Sequence, residues 1–232
     1  MERTVVPENF SFRMTDEEYR VLEKIKNSIP VCYLADHADF ALGIVTGNNK
    51  KFLSAEKTQH SEMVLKGTDI CKYHINPAKQ YLRFEPEQFQ QVAPLEIYRA
   101  PEKLLYRFIS NQLVVAYDDR QMLSLNSCNI VIPKIEGMQI KYILAILNSS
   151  VSQFVYQKEF HSIKVLRAHM EHIPIPRVGK AIQNEIIAMT EPLICGMGKE
   201  AAETCQKRLD CRIMDLFRLS AEEQWIIRHA LH

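Results

Sequence analysis

Apolar positions along the chain recur in two periods, and the change from one to the other near Gln139 divides it. A first helix is predicted from Thr15, where Tyr19, Leu22 and Ile25 share a face and Thr15 with Glu18 forms a capping box; Pro30 ends it. The runs VCYLA, LGIVT and KFLS then read as short strands, with the loop in GIVTGNNKKF (43–52) turning a hairpin. From Gly67 to Pro101, four prolines among aromatics and side-chain amides exclude a long helix and leave extended loops with one short strand, YLRF. KLLYRFI and QLVVAYD follow, joined by a tight turn at Ser110 and Asn111, and SCNIVIP makes a further strand ending at Pro133.

After Gln139 the period becomes helical. Ile140, Ile143, Leu144, Leu147, Val151, Phe154 and Val155 predict one helix to about Tyr156, and IPIP (173–176) is extended. Ile182, Ile186, Met189, Leu193 and Met197 mark an amphipathic helix perturbed at Pro192 and weakened by Gly196 and Gly198. RLDCRIMDLF and SAEEQWIIRHAL add two more helical segments, the second capped by Ser220. The expected fold is α+β. A lead-in (1–30) precedes a mixed, mainly antiparallel sheet domain (31–178) and a helical extension (179–232).

GIVTGNNKKF invites comparison with a phosphate cradle, and its spacing rules that out. Three residues separate Gly43 from Gly47, where a P-loop needs four followed by Gly-Lys-Ser/Thr. The whole chain has a formal net charge of +1, yet residues 43–83 hold seven lysines and arginines against three acids, a local +4, while the stretch from Lys180 onward is −1. Such a cluster suits either a solvated face or a polyanion. The 232 residues, 47% hydrophobic and 25% charged, suffice for a real core. The longest apolar runs fall far short of the roughly 20 residues that cross a bilayer, and MERTVVPENF lacks the apolar core of a secretory signal, so a cytoplasmic protein is expected. Six cysteines without a C-x-x-C pair read as reduced thiols, and His169 with His172 lacks partners at metal-ligand spacing.

The order of five blocks, ALGIVTGNNKKF, LKGTDICKY, PEKLLYRFISNQLVVAYD, KYILAILNSSVSQFVY and HIPIP, resembles the TaqI-like C-terminal specificity domain. RIMDLFRLSAEEQWIIRHAL is similar to the helical end of such polypeptides, with Arg218 where the family often has glycine and Phe217 where it often has tyrosine. The likeness covers about residues 31–230. Members are target recognition domains of N6-adenine DNA methyltransferases and of fused restriction-modification enzymes, similar in plan to half of a type I specificity subunit. The resemblance implies double-stranded DNA as partner, together with a separate methyltransferase or endonuclease catalytic domain that binds S-adenosylmethionine and in some cases magnesium. No cofactor is expected in this chain, which has no Pro-Pro dipeptide and no G-x-G-x-x-G among its seven glycines, and no catalytic residues are assigned to it.

A recognition domain grips phosphates to set register and reads base edges for sequence. For the first task the basic side chains Lys50, Lys51, Lys66 and Lys72 are suited, and Thr46 fits a phosphate or a thymine methyl. For the second, Asn48, Asn49, Gln80, Arg83, Arg107, Arg120 and Gln121 carry the donors and acceptors that address bases in the major groove. Asn48 and Asn49 serve equally well as turn formers, Arg107 as a structural ion-pair partner, and Tyr73, Tyr81 and Phe84 as packing. Asp69, Asp118 and Asp119 do not assemble a nuclease set. The competing reading from another class is a protein-interaction module docking through Trp225, Ile226 and Ile227; an independent enzyme would need a nucleophile and base that nothing in the sequence places together.

Overall fold

The computed structural model describes residues 14–160 and 162–231, so the N-terminal segment MERTVVPENF lies outside the described residues. The capping box forms. Thr15 Oγ1 accepts from the Glu18 amide, Glu18 accepts from the Thr15 amide, and helix α1 runs Asp16–Asn27. Its buried face is Val21, Leu22 and Ile25; Tyr19, expected on that face, is 52% exposed, because Val21 draws the buried arc away from it.

Among the described residues ten strands follow: β1 (Val31–Cys32), β2 (Ala38–Ala41), β3 (Leu53–Ser54), β4 (Glu62–Leu65), β5 (Tyr81–Leu82), β6 (Lys103–Arg107), β7 (Val115–Asp118), β8 (Leu123–Ser124), β9 (Cys128–Pro133) and β10 (Ile175–Pro176). They form a β1-β10 pair and two four-stranded sheets, β2-β9-β6-β7 and β3-β5-β4-β8. Every named pairing is antiparallel except β4 with β8. The helices are α2 (Asn49–Phe52), α3 (Leu95–Tyr98), α4 (Ile140–Asn148), α5 (Ser150–Phe160), α6 (Arg167–Glu171), α7 (Lys180–Cys195), α8 (Lys199–Leu216) and α9 (Ala221–Ala230). This is the α+β architecture the periodicity predicts.

The larger sheet is buried on both faces. Leu104, Tyr106, Val115, Tyr117 and Val131 point into a core shared with α1, α4, α5 and α7 to α9. Their strand neighbours Leu105, Ala116, Cys128 and Ile130 point the other way, into a second core with Val64, Leu65, Leu82 and Leu123 of the smaller sheet. Alternation of side chains along each strand splits one apolar run between two cores, which is why these strands read as continuously hydrophobic. The result is three layers: helices, large sheet, small sheet. The outer edge of β7 is closed by Tyr73, whose N–H donates to the Val115 carbonyl and whose carbonyl accepts the Tyr117 N–H, and by buried Asn148, whose amide donates to the Val115 carbonyl at 2.8 Å and accepts the Val115 N–H at 3.0 Å.

Three expectations are corrected. Residues 43–52 form no hairpin: Ile44 and Val45 make single bridges to Leu125 and Gln91, and Asn48 then caps the one-turn helix α2 by accepting from the Lys51 amide. The β6–β7 connection is no tight turn at Ser110 and Asn111, because Phe108 and Ser110 pair instead with Val165 and Ile163. The long helix breaks at Ser149, whose hydroxyl accepts the Ser152 amide and so starts α5.

Candidate nucleic-acid interface

Two glycines fix where the small sheet sits. A Cβ on Gly43 would meet the Leu125 carbonyl oxygen at 2.1 Å, and one on Gly67 the Ser127 oxygen at 2.4 Å. Both backbones therefore lie against the β8–β9 connection. Asn129 accepts the Gly43 amide, Ser127 accepts the Gly67 amide, and Ile44 bonds Ser124. Gly43 of the GIVTG block and Gly67 of the LKGTD block thus approach the chain's own backbone, whereas Gly47 turns the chain at φ +75.

Strand register then sorts the expected contact residues. Leu53 and Glu62 both lie opposite Leu82, and the parallel register of Val64 with Leu123 sets Glu62 level with Gln121. One end of the small sheet accordingly gathers α2 with Asn48, Asn49, Lys50 and Lys51, then Arg83, then Arg120 and Gln121. With strands roughly 4.8 Å apart, the row is about 14 Å wide. Its side chains are exposed. Lys50 and Arg120 have no ion-pair partner among the described residues; Lys51 lies over the Phe52 ring at 4.6 Å; Arg83 pairs with Glu85 at 2.8 Å. Asn49 accepts from Thr46 Oγ1 at 2.6 Å.

The other expected contacts lie elsewhere or face inward. Thr46 is 4% exposed and braces α2 through Asn49. Lys66 stands at the opposite end of β4, and Gln80 is half-buried beside Val64. Lys72 donates to the Asn148 carbonyl at 3.1 Å, and enclosure pulls its ammonium below the ordinary lysine pKa despite the Asp210 carboxylate. Arg107, read as a base contact or an ion-pair former, donates instead to the carbonyls of Gly67 and Ile70, holding the 67–69 turn. Tyr73 is buried, and Phe84 packs edge-on against Phe89 and Tyr98. His169 Nδ1 accepts the Leu166 amide and its ring stacks on Phe160, while His172 bonds the Ala168 carbonyl. No group of three His, Cys, Asp or Glu among the described residues is placed to hold a metal. No helix among them is long and apolar enough to cross a membrane.

Residue-by-residue reading overlooked Arg99 and Lys103 and weighed Asp118 only as a member of a nuclease set. Lys103 and Asp118 pair at 2.5 Å with both side chains 0% exposed. Arg99 forks between the Gln121 carbonyl at 2.7 Å and Glu62 at 2.6 Å. The antiparallel β6–β7 register sets Lys103 opposite Asp118, and that pairing is the signal that would have exposed the buried pair.

No curated protein matches the chain. Thirty-nine chains of solved structures are similar to it. One belongs to the type IIL restriction-modification enzyme MmeI in complex with DNA, with TM-score 0.53 and 11% identity over 82% of this chain and 34% of that one. Another belongs to a type I restriction-modification system, with TM-score 0.48 and 13% identity over 93% and 51%. A third is the HsdS subunit from Thermoanaerobacter tengcongensis, with TM-score 0.45 and 14% identity over 93% and 50%. The chain thus spans a third to a half of the length of these proteins, and the likeness to MmeI is one of fold. The family model of the TaqI-like C-terminal specificity domain matches residues 62–175, from β4 to β10.

Proposed function

We propose that the chain recognises a specific sequence in double-stranded DNA as the specificity part of a restriction-modification system, holding a separate N6-adenine methyltransferase or endonuclease domain on its target. The carrying observation is the row at one end of the small sheet, where exposed Lys50, Lys51 and Arg120 stand beside exposed amides on a braced backbone. A row about 14 Å wide is enough to span a major groove about 12 Å across. Lysines supply sequence-independent grip, and forked side chains supply the reading. S-adenosylmethionine, and magnesium where cleavage occurs, belong to the catalytic partner; this chain contributes no catalytic residue.

The docking-module reading has less support. Ile227 is buried in the helical core and Ile226 packs against it, leaving Trp225, 59% exposed and stacked on His229, as the outward aromatic of α9.

Duplex binding measured against salt, with selection from a randomised pool, tests the proposal. The chain is expected to bind with a preferred site and a negative salt slope. Replacing Lys50 and Lys51 together by Ala should weaken all sequences alike and flatten the slope by about one unit for each phosphate no longer neutralised. Salt-independent or absent duplex binding would sink the reading.

A further inference from the structure

The β7–β8 turn, Asp118 to Met122, exposes three side chains, Asp119, Arg120 and Gln121, on a backbone held from several directions. Asp118 Oδ1 accepts the Arg120 amide at 3.0 Å and Oδ2 accepts the Met122 amide at 2.9 Å. The same carboxylate is fixed by Lys103, which also donates to the Tyr98 carbonyl at 2.6 Å. Arg99 holds the Gln121 carbonyl from the far side. Gln121 itself has φ +58, a left-handed conformation that a residue with a Cβ adopts only when its surroundings impose it. Burying a lysine and an aspartate completely is costly, and an apolar pair would pack the strand ends as well. What the ion pair adds is a fixed turn geometry. Nearby forked groups are engaged: Arg83 with Glu85, Asn48 and Asn49 within α2 and its cap, Gln88 with Glu85 and Lys51. The Arg120 guanidinium and the Gln121 amide have no such partner among the described residues and are exposed.

We propose that this turn is the chain's base-reading element, Arg120 addressing a guanine and Gln121 an adenine, with Lys103, Asp118 and Arg99 as positioning residues. The chemistry is that of a forked guanidinium on guanine O6 and N7 and an amide on adenine N6 and N7. Preorganisation matters because a side chain on a loose turn would meet several bases with similar energy. The inference rests on the duplex-recognition reading above and specifies where that reading is done.

The test is selection from a randomised duplex pool with the full chain and the variants Arg120→Ala, Gln121→Ala and Arg99→Lys, each checked for parental circular dichroism. Arg120→Ala should lose discrimination at one G·C pair by roughly ten- to a hundredfold, and Gln121→Ala at one A·T pair by a similar factor, with other positions kept. Arg99→Lys retains both reading side chains, so blurring at those same two positions with an unchanged salt slope would establish positioning. Parental preference in Arg120→Ala and Gln121→Ala would overturn the inference while leaving duplex recognition standing. Unaltered preference in Arg99→Lys alone would remove its positioning role, and a parent without salt-dependent duplex binding would remove both proposals.

Discussion

The space in front of Gly43 is closed by the Leu125 carbonyl, 2.1 Å from where a Cβ would stand, with the Cys128 oxygen at 2.7 Å. Both obstacles are backbone, so no side chain can swing aside. Gly43→Ala is therefore expected to push the 43–45 segment off the β8–β9 connection and to destabilise the chain by about 1–3 kcal/mol, the usual range for overpacking a close contact. A urea titration should show the midpoint falling at unchanged slope; an unchanged midpoint would mean that this packing is not what requires glycine. The sequence marks the position as special but not why. Gly43 and Gly47 are four apart among polar residues, a spacing suited to a loop around a ligand, and the actual neighbour lies more than eighty residues downstream. The same limit applies to Lys72 and Arg107. A basic residue in a basic stretch reads as a surface charge, and only the folded chain shows the carbonyls of Asn148, Gly67 and Ile70 that receive them.

Element ends were more legible than element partners. Thr15 and Ser220 announce helices, and both form complete capping boxes. The end of α8 is subtler. The Leu219 amide bonds the Met214 carbonyl and the Arg218 amide bonds that of Asp215, with Met214 and Leu219 both buried. This is the Schellman arrangement, which requires a left-handed residue after the helix, and Arg218 fills that place at φ +54. Glycine, which the resemblance leads one to expect here, takes that conformation without a Cβ clash. Arg218→Gly should relieve the strain and raise stability by about 0.5–1 kcal/mol, less whatever glycine's extra unfolded freedom removes. A urea midpoint at or below that of the parent would show that the Arg218 side chain makes compensating contacts. Conversely, the hairpins predicted from 43–52 and from Ser110–Asn111 failed because long-range partners, Leu125 and Gln91 for one and residues 163–165 for the other, outcompeted local turns. Local turn chemistry cannot report a strand that arrives from fifty residues away.

At the scale of the whole molecule, the helical core joins residues from the lead-in, the sheet region and the C-terminal helices. Ile186, Leu193, Leu209, Ile213, Met214 and Phe217 are buried in the same core as Leu22, Leu104 and Leu144. Ion pairs bind the same segments at the surface: Lys24 to Glu223, and Lys158 to Glu18. At about 1.5–3 kcal/mol for each buried side chain, those six C-terminal residues contribute on the order of 10 kcal/mol before the surfaces they cover are considered. That is comparable to the whole net stability of an ordinary domain, about 5–15 kcal/mol. Residues 14–178 alone should therefore lack a stable fold, although they contain both four-stranded sheets and all the expected DNA contacts. Far-UV circular dichroism and urea titration of that fragment are expected to show a broad, shallow transition with dye-binding apolar surface, whereas the complete chain unfolds in one sharp step. A sharp transition in the fragment would mean that the sheets stand alone and that α7 to α9 are an appendage. In the expected case, a substitution deep in the helices, such as Ile213→Ala, would lower duplex affinity without touching the recognition row, by depopulating the fold that holds Arg120 and Gln121 in place.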